Sequence, residues 1–200
     1  MKRISLQAMI EASIFAAMAL VLDLLPSIKP TPSISISFAM VPIFIVAFRW
    51  GIKTAFISGL LWGLLQIAIG DYYIVTPLQG FIEYFIAFSF IGFAGLLAPA
   101  VKKLASEGKK TLMICTITIG VFLGSLARYF WHFIAGVIFF AKYAYEAGKT
   151  PIVFSFIMNG TTMIFSFLLC TIVICIVMSI RPELIKTNKR DISLHKSKAS

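Results

Sequence analysis

The stretch LMICTITIGVFLGSLARYFWHFIAGVIFFA, residues 112–141, is apolar from end to end and carries one formal charge, Arg128. Coiled as an α-helix it would reach about 45 Å, more than the ~30 Å hydrocarbon core of a bilayer. Working outward, five further apolar segments can be read: Ala8–Leu25, Ile34–Phe48, Thr54–Ile69 and Leu78–Val101 before it, and Ile152–Ile180 after it. Pro26, Pro30 and Pro32 end the first, Arg49 to Lys53 separates the second from the third, and Gly70 to Pro77 separates the third from the fourth. Lys102 to Lys110 and Lys142 to Pro151 mark the last two breaks. No segment alternates with period two, which argues against barrel strands. The second and third are short for a full crossing and would also suit a re-entrant pair. The expected architecture is an all-α integral membrane protein with six transmembrane helices in residues 1–180, followed by a basic polar tail, residues 181–200.

Composition agrees. The 200 residues are 60% hydrophobic and 13% charged, against about 25% charged in soluble domains. Too little polar surface is available to coat a soluble enzyme. The net charge of +10 has a topological explanation. Lys2, Arg3, Arg49, Lys53, Lys102, Lys103, Lys109, Lys110 and the basic residues from Arg181 to Lys198 fall on one side of the alternating spans. Only Lys29, Lys142 and Lys149 fall on the other. The positive-inside rule then places both termini in the cytoplasm, and no nucleic-acid partner is needed to account for the charge. Glu11, Asp23 and the following Pro26 argue against a cleavable signal. Cys115, Cys170 and Cys175 lie in apolar helix without metal-ligand spacing. No cofactor motif is present.

Ionisable groups inside spans are expensive and default to function. Glu83 lies roughly 8 Å below the outer end of its span, His132 roughly 13 Å and Asn159 roughly 10 Å, with Arg128 deeper at roughly 20 Å. A carboxylate, an imidazole and an amide on three different helices thus share one depth. Two arrangements are open: a self-satisfied cluster with Glu83 paired to Arg128, or a ligand pocket opening to the outside. The surrounding rings of Tyr73, Tyr84, Trp131, Phe140, Tyr143, Tyr145 and Phe154 favour the pocket and suit a flat, cationic, hydrogen-bonding ligand. Catalysis fits poorly, since no nucleophile accompanies His132 and Glu83 and no HExxH, GxSxG or P-loop pattern occurs. A solitary proton-coupled carrier would need only one intramembrane carboxylate, but paired repeats with broken helices are absent. Ala12 with Ala16, Ser13 with Ala17, Gly59 with Gly63 and Gly120 with Gly124 form small-xxx-small pairs, suited to packing within the bundle or, on the first span, to docking another membrane protein.

Six pieces of the chain carry a resemblance: Leu24-Leu25-Pro26; Pro42-Ile43 through Arg49-Trp50-Gly51; Gly59-Leu60-Leu61-Trp62-Gly63; Gln79-Gly80-Phe81-Ile82-Glu83-Tyr84; Arg128 through Gly136; and Ser155-Phe156-Ile157-Met158-Asn159-Gly160. In this order and spacing the sequence resembles the thiamine-specific substrate-binding (S) component of an energy-coupling factor transporter, up to the basic tail. The resemblance implies a multi-pass protein of the bacterial cell membrane, without enzymatic activity or cofactor, that binds thiamine near the outer side. It also implies a lid at about Ser27–Ser33 and work with a transmembrane coupling protein and two cytoplasmic ATPases. Glu83, His132 and Asn159 match the family's pyrimidine-binding residues, and Tyr84 and Tyr73 match site tyrosines. Phe140 stands where a well-known member has a stacking tryptophan, and Phe154 replaces a site tyrosine. Ser33 and Ser37 stand roughly where a loop tryptophan and a helix-two glutamate would be. These departures leave a thiamine precursor as an alternative ligand. The docking motif matches Ser13 and Ala17, with Ala12 and Ala16 alongside.

Overall fold

The computed structural model of the protein describes residues 4–25, 28–31 and 34–186. Lys2, Arg3, Ser33, the tail from residue 187 and part of the lid expected at Ser27–Ser33 lie outside the described residues. Five helices are long and apolar enough to cross a membrane: α1 (Leu6–Asp23), α3 (Ile52–Ile69), α4 (Pro77–Ser106), α5 (Lys110–Phe139) and α7 (Pro151–Ile180). The sixth expected span is built differently. Its beginning, Ile34–Ile36, is strand β2, paired antiparallel with β1 (Ile28–Thr31), and only Val41–Trp50 is helical, as α2. A short α6 (Ala141–Glu146) and a 3-10 turn at Pro182–Ile185 complete the elements among the described residues.

At about 15 Å, α2 crosses half of a hydrocarbon core. It is tolerated because it meets no lipid: every residue from Val41 to Phe48 is buried, and Phe44, Phe48 and Ile43 are among the largest fully enclosed side chains. Residues 34–40 before it are non-helical, and within a bilayer such backbone is admissible only where it is enclosed by protein or faces a wet cavity. Ser35, Ser37 and Ala39 line such a cavity.

Pro77 and Pro151, which the sequence reading takes as breaks, are instead the first residues of α4 and α7. Thr76 Oγ1 accepts from Gln79 N–H at 3.1 Å, and Thr150 Oγ1 accepts from Val153 N–H at 3.4 Å. A capping threonine followed by proline is a helix start, because the missing proline N–H would have had no partner there. Between α2 and α3, Gly51 turns the chain at φ 87°, a conformation that costs a residue with a Cβ.

At this same end of α2 the packing is ionic. Arg49 Nε and Nη2 donate to Glu11 at 2.5 and 3.0 Å, Trp50 Nε1 donates to the same carboxylate at 2.6 Å, and Arg49 Nη1 donates to the carbonyls of Leu184 and Lys186 at 3.0 and 2.5 Å. This knot ties α1, α2 and the segment after α7 together, with Ile185 buried beside it.

Candidate functional site

The half of the bundle left free by α2 holds a cavity of about 510 Å³. It is lined by Asp23 of α1, Ser35 and Ser37 before α2, Ala39, Met40, Trp62 and Gln66 of α3, and Asp71, Tyr72 and Tyr73 after α3. Glu83, Tyr84 and Phe88 of α4, Arg128, Tyr129 and His132 of α5, and Asn159 and Thr162 of α7 complete the lining.

Helix α4 changes its winding to supply its share. After one α-turn, Phe81–Ala87 is a π-helical stretch, and Ile91–Leu97 is 3-10. The wider i→i+5 turn, a feature that recurs at functional sites, directs the sequence neighbours Glu83 and Tyr84 into one cavity together with Phe88, whose ring stacks on Tyr84 at 5.8 Å. The crossing with α3 is close here: a Cβ on Gly63 would run into the Tyr84 carbonyl, and one on Gly59 into the Phe88 carbonyl. The two glycines are packing glycines within the bundle. Glu83 accepts from Gln79 Nε2 and faces His132 Nδ1 at 3.7 Å, and both partners of that pair are under 20% exposed, at 16% and 17%. Gln79 belongs to one of the stretches that carry the resemblance but was not among the expected site residues.

The arrangement of Arg128 departs from the ion-pair alternative. Among the described residues Glu83 makes its ion-pair contact with His132 and none with Arg128. The Arg128 guanidinium instead lies over the rings of Phe88 at 4.3 Å and Trp62 at 4.8 Å, and its Nε donates to His132 Nε2 at 3.4 Å. Aromatic faces attract a desolvated cation. The charge is thus held by rings, and the Glu83 carboxylate is left beside the cavity. Asn159 Nδ2 donates to Ser155 O and Ser155 Oγ at 3.1 Å, and to His132 O at 3.5 Å, joining α7 to α5.

Five expected site residues therefore converge: Glu83, Tyr84, His132, Asn159 and Tyr73. Tyr73, 60% exposed, stands at the mouth, its backbone N–H donating to the Tyr84 hydroxyl at 2.9 Å and its own hydroxyl bonded to that of Tyr143 at 3.0 Å. Phe140 and Phe154 do not line the cavity. Phe140 stacks on the outer side of Tyr73 at 6.1 Å, and Phe154 lies half-buried on the first turn of α7. Asp23, Trp62 and Gln66 line the cavity without having been named as site candidates, and Arg128 was weighed as an ion-pair partner of Glu83. The amide of Gln66 donates to Asp23, and their polar character inside apolar segments was the available signal.

The small residues of α1 split into two faces. Ala12 and Ala16 are fully buried, with the Ala12 carbonyl accepting from Ser58 Oγ at 2.7 Å, so they pack α1 against α3 and are unavailable to a partner. Ser13 and Ala17 are exposed.

Fold and site together define a helical membrane protein that encloses a polar, aromatic-walled cavity for a small solute. The family model described as thiamine transporter protein (Thia_YuaJ) matches residues 9–186, and the chain belongs to that family. It is similar to the thiamine transporter ThiT of Bacillus subtilis, 39% identical over 184 residues that span 90% of this chain and 95% of the relative. It is likewise similar to ThiT of Lacticaseibacillus paracasei, 34% identical over 90% of each chain. A solved structure of ThiT from Listeria monocytogenes superposes with a TM-score of 0.86 at 38% identity, over 90% of this chain and 97% of that one. Members of the family are multi-pass plasma-membrane transporters and not enzymes.

Proposed function

We propose that this chain is a thiamine-binding S component that captures the vitamin in the cavity between α4, α5 and α7. The observation that carries the reading is the Glu83 carboxylate, held by Gln79 and His132 beside aromatic walls and unpaired with Arg128. Glu83 and Asn159 take the hydrogen-bonding edge of the aminopyrimidine, with His132 against it, and Tyr84 and Tyr73 face the cationic thiazolium. Phe140 acts through the orientation of Tyr73, which it stacks on. Phe154 keeps a ring near the outer end of α7. The cavity mouth faces outward, and both termini lie in the cytoplasm, as the lysine and arginine distribution supports. The chain carries no nucleotide-binding motif, so uptake is completed by a transmembrane coupling protein and two cytoplasmic ATPases. The exposed pair Ser13 and Ala17 offers α1 a face for close helix contact with the coupling protein.

Titration of the purified chain with thiamine, read by tryptophan quenching, tests the reading. Glu83→Gln should weaken binding ten- to hundredfold, since a hydrogen bond to a charged group contributes about 1.5–3 kcal/mol. Wild-type affinity in that variant overturns the site. A stronger response to the pyrimidine half than to thiamine redirects the substrate to a precursor. Uptake into liposomes by the chain alone, driven by a pH gradient without ATP, would replace the S-component reading with a solitary carrier.

A further inference from the structure

Gln79 is fully buried, polar and outside the cavity lining. Its carboxamide is nevertheless committed on three sides. Oε1 accepts from Val75 N–H at 3.0 Å, and Nε2 donates to the Tyr73 carbonyl at 3.1 Å and to Glu83 Oε2. Both amide hydrogens are used, one on the mouth segment and one on the carboxylate. The same segment is held a second time by Tyr73 N–H on the Tyr84 hydroxyl, while Ile74 packs on Gly80, where a Cβ would approach its side chain to 3.0 Å. On its far side Tyr73 reaches Phe140, between α5 and α6, and Tyr143 of α6.

We propose that Gln79 is a positioning residue that straps the Glu83 carboxylate to the Tyr73–Val75 segment, so that engaging a ligand at Glu83 and fixing the cavity mouth are one coupled event. This rests on the reading of Glu83 as the ligand-binding carboxylate. Only a primary amide of this length meets the site. Glutamate would keep the acceptor for Val75 but lose both donors and set a second carboxylate beside Glu83. Leucine would keep the bulk and lose all three bonds, leaving buried polar groups unpaired. With Oε2 bound to Gln79, Oε1 remains, on the side where His132 stands. Because coupling is reciprocal, a ligand that orders Glu83 orders the mouth, and loosening the mouth weakens the ligand.

The test uses the full chain in nanodiscs, with Gln79→Glu, Gln79→Leu, Glu83→Gln and the double variant Gln79→Leu/Glu83→Gln. Two readouts are taken: thiamine affinity, and backbone amide exchange at Tyr73 and Val75 without ligand. Gln79→Glu and Gln79→Leu should each lose about tenfold or more in affinity, as when a charged group loses its hydrogen bond. The Val75 amide should exchange faster in Gln79→Leu even without ligand. The decisive arm is the cycle: in the Glu83→Gln background, Gln79→Leu should add little. Losses that multiply within about twofold, as independent sites do, would overturn the strap and reduce Gln79 to a packing residue. So would unchanged exchange at Val75, or wild-type affinity in both single variants. If Gln79→Leu does not fold, the isosteric Gln79→Glu and its double variant with Glu83→Gln carry the affinity arms, and Gln79→Met, which also lacks the acceptor for the Val75 N–H, carries the exchange arm. Failure of the wild-type chain to bind thiamine would strike the proposed function instead, and the ligand-free exchange would still decide whether Gln79 holds the mouth.

Discussion

At the scale of single residues, the site is organised by where charge is placed and what is kept away from it. Arg128 and Glu83 are the two charged residues a sequence reader would pair inside a membrane, yet rings hold the first and amide and imidazole groups hold the second. Spacing showed that Glu83, His132 and Asn159 share a depth, because depth follows from helix rise alone. It could not show that Arg128 turns toward Trp62 and Phe88, which is a matter of rotamer and of neighbours on other helices. Gln79 was hidden for another reason. A glutamine two residues after a proline reads as an ordinary first-turn residue, and only the fold reveals that its side chain reaches back to Tyr73 and Val75. If the rings stabilise the guanidinium as described, Arg128→Met should lower unfolding stability by about 2 kcal/mol, the range for a desolvated cation–π contact. Thermal unfolding followed by tryptophan emission checks this, and an unchanged midpoint would count against the ring cage.

Among the elements, α4 and α2 do what regular spans could not. The π-helical stretch of α4 lets two adjacent residues share the cavity, and the brevity of α2 leaves the room for it. The winding of α4 was not legible in the sequence, whereas the second segment did read as short for a full crossing, though not as beginning in a strand. Hydrophobic runs reveal that a segment is buried, while winding and strand content are settled by contacts such as the β1–β2 pairing. The glycine pairs were legible as close-packing signals: Gly59 and Gly63 meet the carbonyls of Phe88 and Tyr84, while Gly120 and Gly124 meet the rings of Phe48 and Phe44 and the Ile91 carbonyl. Gly63→Val should therefore push α4 from α3, cost about 1–3 kcal/mol as overpacking does, and weaken thiamine binding because Tyr84 moves. Calorimetry and the binding titration should change together. On α1, Ala16→Leu should destabilise the isolated chain, since Ala16 has no exposed surface. Ala17→Leu should leave stability and thiamine binding intact and reduce co-purification with the coupling protein proposed above. Equal effects of both substitutions on stability would refute the two-faced description of α1.

For the whole molecule, the distribution of polar groups is asymmetric: a wide cavity at the Tyr73 end and a tight ionic knot at the Arg49 end. The knot was not foreseen, because Glu11 and Arg49 are distant in sequence and each resembles a charge at a span boundary. Arg49→Ala would leave Glu11 part-buried with Trp50 and Gln7 as its remaining donors and free two backbone carbonyls. Loss of about 1–3 kcal/mol is expected, the cost of leaving hydrogen-bonding groups without a partner, with faster amide exchange through Pro182–Ile185. Hydrogen exchange that remains slow there would contradict it. The knot also has a consequence in time. The two carbonyls that Arg49 binds lie 135 and 137 residues further along the chain. Glu11 is already made when Arg49 is added to the chain, but the carbonyls that complete the guanidinium's hydrogen bonds are made only after α7. The closing of that end of the bundle is thereby a late step of biogenesis, and it reports that α7 has been completed and seated.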